Sequence, residues 1–401
     1  MQPVDAPAGS IRHIVSPEAR VLLYAIGATT DRAGLRRTLT HPDFAWDRLF
    51  DLAIREKAAP ALHELLAGLS ADLVPAEPRS RLSALLRLTH VRMLRLEQLF
   101  LQAVDTLQAQ DVDAVLLKGA GLATTVYGSF GARPMYDVDL LVRPDDALRA
   151  WNALRANGWV HDEIERPAEF YTTHYHLPPL DDPLRSGLAV ELHTSLTDGA
   201  IEIDSEMIRR EAREIRVRGR RVLVPAVEHQ VLHLATHFAW THGMASAGWR
   251  TFHDLHQLIT NTSVDWERVV AIAQETRATT SCYWTFRLAQ SLAGVSTPGP
   301  VLERLRPPRP EAVLRVLERH YAGVLFFGSQ VHCPSVRVTQ MLWSAGMAPR
   351  WSGHGSTRPW ERGEVWSDTR GMAAHDSLLT RLRGHAHRLA HWRRYLGTLV
   401  R

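Results

Sequence analysis

Residues 115–142 read VLLKGAGLATTVYGSFGARPMYDVDLLV and decide the fold. Two apolar runs, Val115 to Leu117 and Val138 to Val142, enclose a glycine turn and a segment long enough for one short helix. Because side chains alternate between the two faces of a strand, Asp137 and Asp139 project from the same face. Two carboxylates on one face repel each other unless a cation lies between them, and Mg²⁺ suits such a pair. The stretch therefore predicts a strand–helix–strand unit with a magnesium site.

Composition and periodicity divide the chain around this stretch into several regions. At 401 residues the chain exceeds one typical core, which favours more than one domain. The predicted regions are a disordered N-terminus (1–16), a helical N-terminal region (17–110), a catalytic domain (111–225), a helical domain (226–328) and a basic tail rich in Arg, His and Trp (329–401). The catalytic domain is expected to be a small mixed β-sheet with flanking helices, so the predicted fold class is α+β.

The sheet is expected to contain further strands after the opening stretch. Apolar alternation predicts strands at Trp159 to Ile164, Tyr171 to Leu177 and Gly187 to His193, and a hairpin between Arg213 and Pro225. Within the third of these, Glu191 and His193 share one face, while the apolar residues between and before them take the other. Glu191 is thus a third acidic candidate for the same site.

Helical patterns flank the predicted sheet on both sides. A long helix is expected at Arg81 to Gln110, and others at Val227 to Gly243, Ser281 to Gly294 and Glu311 to Phe327. Residues 298–310 are rich in proline and are expected to form a linker.

Composition excludes several classes of protein. The content of 45% hydrophobic and 22% charged residues is ordinary for a globular protein, and two cysteines rule out a disulfide framework. No apolar run approaches the length of a membrane span, and the start lacks a signal-peptide pattern, so we expect a cytoplasmic protein. The net charge is +4, and the basic residues are concentrated in the tail, which could fold back on the body, dock a protein partner or contact an anionic surface. Nucleic acid is not expected as a partner, because the sheet region lacks a basic track interleaved with aromatic residues.

Several motifs together resemble a known family. These motifs are Leu117-Lys118-Gly119, Tyr127, Arg133, Asp137-Val-Asp139-Leu-Leu-Val and Val190-Glu191-Leu-His193. In these residues the chain is similar to the uncharacterised bacterial nucleotidyltransferases that carry Leu-Lys-Gly after their first strand, and more widely to the DNA polymerase β-like nucleotidyltransferase superfamily. The likeness spans roughly residues 80–295.

The resemblance implies a role for each matching residue. Asp137, Asp139 and Glu191 would hold two Mg²⁺ ions beside the triphosphate of an NTP, and Glu191 would help to deprotonate the attacking hydroxyl. Gly119 would let the backbone approach the phosphates, and Lys118 and Arg133 would contact phosphate oxygens. Four simpler roles stay open. Asp137 and Asp139 would be a solvent-facing pair, Glu191 would form a structural hydrogen bond with His193, Lys118 would be an exposed turn residue, and Arg133 would pair with an aspartate.

The histidines form a separate group of candidates. His229, His233 and His237 are spaced four residues apart on one helical stripe, but the segment lacks the glutamate of a His-Glu-x-x-His zinc hydrolase. We expect histidines to line the acceptor side of a cleft or to satisfy one another in the core. The acceptor-side candidates are His174, His176, His193, His233, His237 and Asp254, with His242 and Arg250 beside them.

These observations predict a Mg²⁺-dependent nucleotidyltransferase. It would move a nucleoside monophosphate from an NTP, most simply ATP, to a hydroxyl or phosphate of a small-molecule or peptide acceptor, releasing pyrophosphate. One alternative is a catalytically inactive nucleotide-binding sensor or adaptor. Another, which the missing glutamate disfavours, is a histidine-rich metalloenzyme.

Overall fold

Helices and one mixed β-sheet make up the fold of the computed structural model. The structure describes residues 11–161, 174–197, 201, 203–326, 336–347, 395 and 397–400. The predicted α+β class, with helices flanking a small mixed sheet, is confirmed. The strands are β1 (Val115–Leu116), β2 (Asp137–Leu141), β3 (Leu180–Asp181), β4 (Ala189–His193), β5 (Arg213–Val217) and β6 (Arg220–Val224).

The helices lie before, between and after the strands. They are α1 (Pro17–Tyr24), α2 (Arg32–Leu39), α3 (Trp46–Arg55), α4 (Ala59–Ala67), α5 (Ala76–Gln108), α6 (Lys118–Thr125), α7 (Pro144–Ala156), α8 (Ser205–Arg210), α9 (Val227–Thr236), α10 (Gly248–Asn261), α11 (Trp266–Glu275), α12 (Thr279–Leu288), α13 (Gly299–Leu305), α14 (Glu311–Leu325) and α15 (Val336–Met347). Short 3₁₀ turns form at Ile11–Ile14 and Phe130–Ala132. Helices α9 and α12 continue as π-helical turns, His237–Thr241 and Ala289–Ala293.

The sheet has the strand order β3-β4-β2-β1-β6-β5. Strand β2 is antiparallel to β1 and parallel to β4, while the predicted hairpin is the antiparallel pair β5–β6 at the other edge. The acidic strands β2 and β4 are therefore direct neighbours, although 47 residues of sequence, from Val142 to Leu188, separate them.

The two faces of the central strands pack against different helices. On one face Val138, Leu140, Val190 and Leu192 join the buried residues of the long helix α5 and of α7 in one hydrophobic core. Alternation along the strands turns the acidic residues to the opposite face, towards the helices that follow the sheet. One face of the sheet thus supports the fold, and the other carries the candidate site.

A second core joins helices from both ends of the chain. Leu22 of α1 and Phe50 of α3 belong to the same buried cluster as Phe252 of α10 and Trp284 of α12. The indole N–H of Trp249 donates a hydrogen bond to the carbonyl of Leu22, which links α10 to α1 directly. The early helices therefore share a core with the helices that follow the sheet. The domain boundaries drawn from the sequence stay a prediction.

The ends of the chain differ from their predicted description. The prediction of disorder is wrong for residues 11–16, because Ile11–Ile14 forms a 3₁₀ turn, its isoleucines are buried, and Ser16 caps α1. Burial of these isoleucines stabilises the segment, although the sequence before it is rich in proline, alanine and glycine. Within the predicted tail, α15 packs into the core through Trp343, and Tyr395 bonds to His320 of α14. Residues 1–10 and most of 348–401 lie outside the described residues.

Three predicted elements take another form. Residues 174–177 of the expected strand contribute only one bridge, His176 to His193, and Val160 makes one bridge to Asp181. The rest of these two predicted strands, residues 162–164 and 171–173, lies outside the described part. The expected linker contains helix α13, whose second residue is Pro300; proline is well tolerated in the first turn of a helix.

Among the described residues, none of the helices combines the length and the apolar character that crossing a bilayer requires.

Candidate active site

The register of two parallel strands brings the acidic residues together. Asp139 of β2 lies directly opposite Glu191 of β4, and Asp137 lies opposite Ala189. Residues in register on neighbouring strands point to the same face, so the three carboxylates share the face that lies opposite the α5 core. The sequence-based prediction that Glu191 joins this face is confirmed.

Asp139 is the most enclosed of the three carboxylates and has two cationic partners. Its Oδ1 lies 2.7 Å from the Lys118 ammonium and 2.8 Å from Nε2 of His193. The same Nε2 lies 3.5 Å from Oε2 of Glu191. Lys118 and His193 thus supply the positive charge that keeps two neighbouring carboxylates compatible.

The electrostatic consequences follow from these contacts. Burial opposes ionisation of Asp139, but the Lys118 ammonium and the hydrogen bond from His193 outweigh it, so the pKa of Asp139 lies well below its usual range. Burial also opposes ionisation of Glu191, yet the bond from His193 lowers its pKa overall. Burial and Lys118 work against protonation of His193, whose pKa is nevertheless raised by its two carboxylate partners.

Three of these side chains are arranged to share a metal ion. One ligand atom from each of Asp139, Glu191 and His193 lies within 4.8 Å of the other two, and no other group of three such residues was found among the described ones. The two carboxylates suit a hard divalent cation such as Mg²⁺ or Mn²⁺. The imidazole of His193 would join them as a ligand only after losing the Nε2 proton that faces Asp139 and Glu191. Asp137 lines the same cavity and is the available third carboxylate. The donor set therefore fits a divalent ion.

Helix α6 begins beside these carboxylates. Lys118, its first residue, has a φ of 44°, a left-handed conformation that is costly for a residue with a side chain and is often found at functional sites. A Cβ on Gly121 would lie 2.7 Å from the carbonyl oxygen of Leu116, so this position requires glycine. Gly119 lines the cavity, and the first N–H groups of a helix lack partners within it.

Arg133 forms a buried ion pair. Its Nε and Nη2 each donate to a different carboxylate oxygen of Asp254, both at 2.7 Å, and its Nη1 donates to the carbonyl of Pro134. The Tyr127 hydroxyl donates to Asp254 as well, at 2.7 Å. Of the two roles left open for Arg133, pairing with an aspartate is the one observed. This pair ties the loop before β2 to helix α10.

A cavity of about 490 Å³ contains the carboxylates and most of the predicted acceptor-side residues. His174 is different: it is exposed and does not belong to the lining, as far as the described residues show. The predicted residues that do line the cavity are Lys118, Gly119, Arg133, Asp137, Asp139, His176, Glu191, His193, His233, His237, His242, Arg250 and Asp254. Its walls are formed by the sheet, by the π-helical turn that follows α9, and by α10.

The histidines on the α9 side of the cavity are held neutral. Burial, reinforced by the nearby Lys118 ammonium, lowers the pKa of His233 to about 3. Burial likewise lowers the pKa of His242 to about 4 and that of His237 well below its usual value. These rings pack edge to face, with centroids 4.4 Å apart for His237 and His242. His229 points elsewhere, 3.6 Å from Glu211, so the three-histidine stripe does not converge on one point.

Among the described residues, Lys57 is the charged lining residue that the sequence analysis did not predict. It follows helix α3, more than fifty positions before the acidic stretch, and no local motif marks it. Burial and the neighbouring Arg250 lower its pKa to about 8. One signal was present in the sequence: Lys57 and Lys118 are the only lysines among 47 basic residues, and both reach this cavity.

Comparison with known proteins identifies the family. The chain matches the family model described as an uncharacterised nucleotidyltransferase over residues 42–294. Because this match spans more than half of the 401 residues, the chain belongs to that nucleotidyltransferase family. No curated protein matches the chain. The matched range begins before Lys57 and ends after α12, so it includes every described residue that lines the cavity.

Proposed function

We propose that this protein is a Mg²⁺-dependent nucleotidyltransferase that uses an NTP, most simply ATP. An oxygen of the acceptor would bond to the α-phosphorus, the bond from that phosphorus to the β-phosphate bridge would break, and pyrophosphate would leave. The observation that carries the proposal is the in-register pair Asp139 and Glu191, which faces one cavity with the start of α6. Membership of the family supports the same class of reaction.

The carboxylates are the candidates for holding the ions. Asp139 and Glu191, together with Asp137, would hold Mg²⁺, and two ions are expected by analogy with related transferases. Such ions neutralise charge on the triphosphate and stabilise the entering and leaving oxygens of an in-line displacement.

The remaining residues have roles that their positions support. The first turn of α6, at Lys118 and Gly119, presents backbone N–H groups to phosphate oxygens. Glu191 is less enclosed than Asp139, and it would accept the proton that leaves an acceptor hydroxyl. The neutral rings of His233 and His237 would contact the acceptor, since they donate or accept hydrogen bonds without adding charge.

The acceptor is proposed to be a small molecule or a peptide. A cavity of about 490 Å³ has the size of a small-ligand site. It leaves room beside an NTP only for a compact acceptor group. The side of the cavity formed by α9 and its π-helical turn is lined by Gln230, His233, Leu234, His237 and Thr241 rather than by a basic groove with stacked aromatic residues.

Substitution of Asp139 tests the proposal. We expect Asp139→Asn to reduce pyrophosphate release by roughly 10³-fold or more, because the amide removes a charged ligand at the centre of the site. Release is measured with each of the four NTPs, with Mg²⁺ or Mn²⁺, against a panel of small-molecule and peptide acceptors. Asp51→Asn, an exposed carboxylate of α3, is the matched control and should leave release unchanged.

Two results would contradict transferase activity. Wild-type release in Asp139→Asn would remove this carboxylate from the mechanism. Mg²⁺-dependent NTP binding without pyrophosphate release, in any acceptor panel, would instead support the nucleotide sensor or adaptor.

A further inference from the structure

The charges around the cavity do not all pair with one another. Lys118 is matched by Asp139, and Arg133 is matched by Asp254. For the side chains of Lys57 and Arg250, no carboxylate lies within ion-pair distance among the described residues. Asp137 attracts both cations from a greater distance. Two cations that no carboxylate contacts directly therefore face the same cavity as the candidate metal ligands.

Lys57 is held in place by its backbone and by an aromatic ring. It has a φ of 59° at the end of α3, and the N–H of Ala58 closes this turn on the carbonyl of Ala53 at 2.8 Å. Its ammonium lies 4.2 Å from the centroid of the Tyr136 ring, next to Asp137 in sequence. A cation–π contact positions the ammonium without neutralising it, so its charge stays available to a ligand.

Arg250 lies in the first turn of α10. Its backbone N–H is 3.5 Å from Oε2 of Glu56, a buried carboxylate whose pKa is raised by burial. Burial and the nearby Arg133 lower the pKa of the Arg250 guanidinium. Such crowding of positive charge is unfavourable without an anion, and a bound anion would relieve it.

The choice of lysine at position 57 is informative. Arginine supplies every other basic residue of this chain apart from Lys118. An ammonium is a compact point charge that contacts a tetrahedral phosphate from one direction, whereas a guanidinium needs a planar approach. Both exceptions to the use of arginine therefore lie where phosphate binding is proposed.

We infer that Lys57 and Arg250 form an anion subsite that binds the outer, β- and γ-phosphates of the NTP. This inference rests on the proposed function. The phosphates would lie between the end of α3 and the start of α10, with the α-phosphate nearer to Asp139 and the first turn of α6. The subsite would thereby select a triphosphate over a monophosphate. Its two positive charges would also bind the negatively charged pyrophosphate as it leaves the α-phosphate.

Direct binding of inorganic pyrophosphate tests this subsite without any acceptor. Isothermal titration calorimetry with Mg²⁺ compares pyrophosphate, ATP and AMP on the full chain. We expect Lys57→Met and Arg250→Met each to weaken the affinity for pyrophosphate and for ATP at least tenfold. The affinity for AMP should stay within twofold of the wild-type value. Arg32→Met, which removes a charge from the exposed start of α2, is the matched control and should change none of the three affinities.

A conservative variant separates charge from folding. Lys57→Arg keeps the positive charge and should retain more pyrophosphate affinity than Lys57→Met, with unchanged circular dichroism in both. Failure of the wild-type protein to bind pyrophosphate would overturn the inference, as would wild-type affinities in both methionine variants. Equal weakening of AMP would also overturn it, because the effect would then not be specific to the outer phosphates.

The source of the phosphate and the proposed function are tested separately. In one outcome, pyrophosphate binding depends on Lys57 and Arg250, but ATP does not compete with pyrophosphate and the affinity for ATP is unchanged in the variants. The subsite would then bind a phosphate of the acceptor, and its assignment to the NTP would be overturned. If ATP and pyrophosphate both depend on the two residues but no acceptor supports pyrophosphate release, the proposed transfer fails while the subsite stands.

Discussion

At the scale of single residues, Arg133 shows how a predicted ligand contact becomes a structural one. The sequence allowed either phosphate contact or pairing with an aspartate. In the structure its guanidinium meets Asp254 through two parallel hydrogen bonds, and Tyr127 donates a third to the same carboxylate. Arg133 and Asp254 are both buried, so the interaction is poorly screened by solvent. The pair contributes to the site by fixing the loop before β2 against α10.

Removing one partner of this pair should be costly. We expect Asp254→Ala to lower the free energy of unfolding by about 3 kcal/mol, because it leaves a buried guanidinium without its counterion. Urea unfolding followed by circular dichroism measures the change. The exposed pair of Arg81 and Asp47 is the matched control, and Asp47→Ala should cost much less than Asp254→Ala because solvent screens the pair. Equal effects of the two substitutions would contradict the role assigned to burial.

At the scale of elements, helix α14 offers a test of pH dependence outside the active site. His320 is fully buried on this helix, and its Nδ1 lies 2.6 Å from the Tyr395 hydroxyl near the end of the chain. Burial lowers the pKa of His320 to about 3. Since the unfolded chain takes up this proton near pH 6.5 and the folded protein does so only near pH 3, acid favours the unfolded state between these values.

His320→Gln should therefore reduce the acid sensitivity of the fold. Glutamine stays neutral, so the loss of unfolding free energy between pH 7 and pH 4 should be smaller than in the wild type by about 3 kcal/mol. Urea titrations at both pH values give the difference. Ser83→Gln, a neutral substitution on α5, is a control that should leave the pH dependence as it is. An unchanged pH dependence in His320→Gln would show that this ring is not held neutral.

The elements also show what sequence patterns predict well and what they do not. Alternation placed Asp139 and Glu191 on one face, and helical periodicity identified α5, because both patterns follow from local geometry. The parallel pairing of β2 with β4 is what brings Asp139 next to Glu191. This pairing joins residues far apart in sequence, so local patterns do not predict it. The π-helical turn at His237–Thr241 and the position of Lys57 depend on tertiary packing, which local patterns do not report.

At the scale of the whole molecule, the cavity is assembled from separate regions of the chain. Lys57 follows α3, the carboxylates lie on the central strands, and Arg250 lies in the first turn of α10. The hydrophobic core that joins α1 and α3 to α10 and α12 holds Lys57 and Arg250, which belong to these regions, on the same cavity. The early helices are therefore expected to be part of the catalytic unit in folding as well as in ligand binding.

A fragment of residues 111–328 tests this expectation. Without α1 and α3, it would expose the apolar faces that α10 and α12 bury against them, and Trp249 would lose its bond to Leu22. We expect the fragment to lack a cooperative urea transition by tryptophan fluorescence and circular dichroism, whereas a chain beginning at residue 11 should retain the wild-type transition. Pyrophosphate should fail to stabilise the fragment, because Lys57 is absent from it. A sharp transition in the fragment would establish that the sheet and the later helices fold on their own, and would assign the early helices to ligand binding alone.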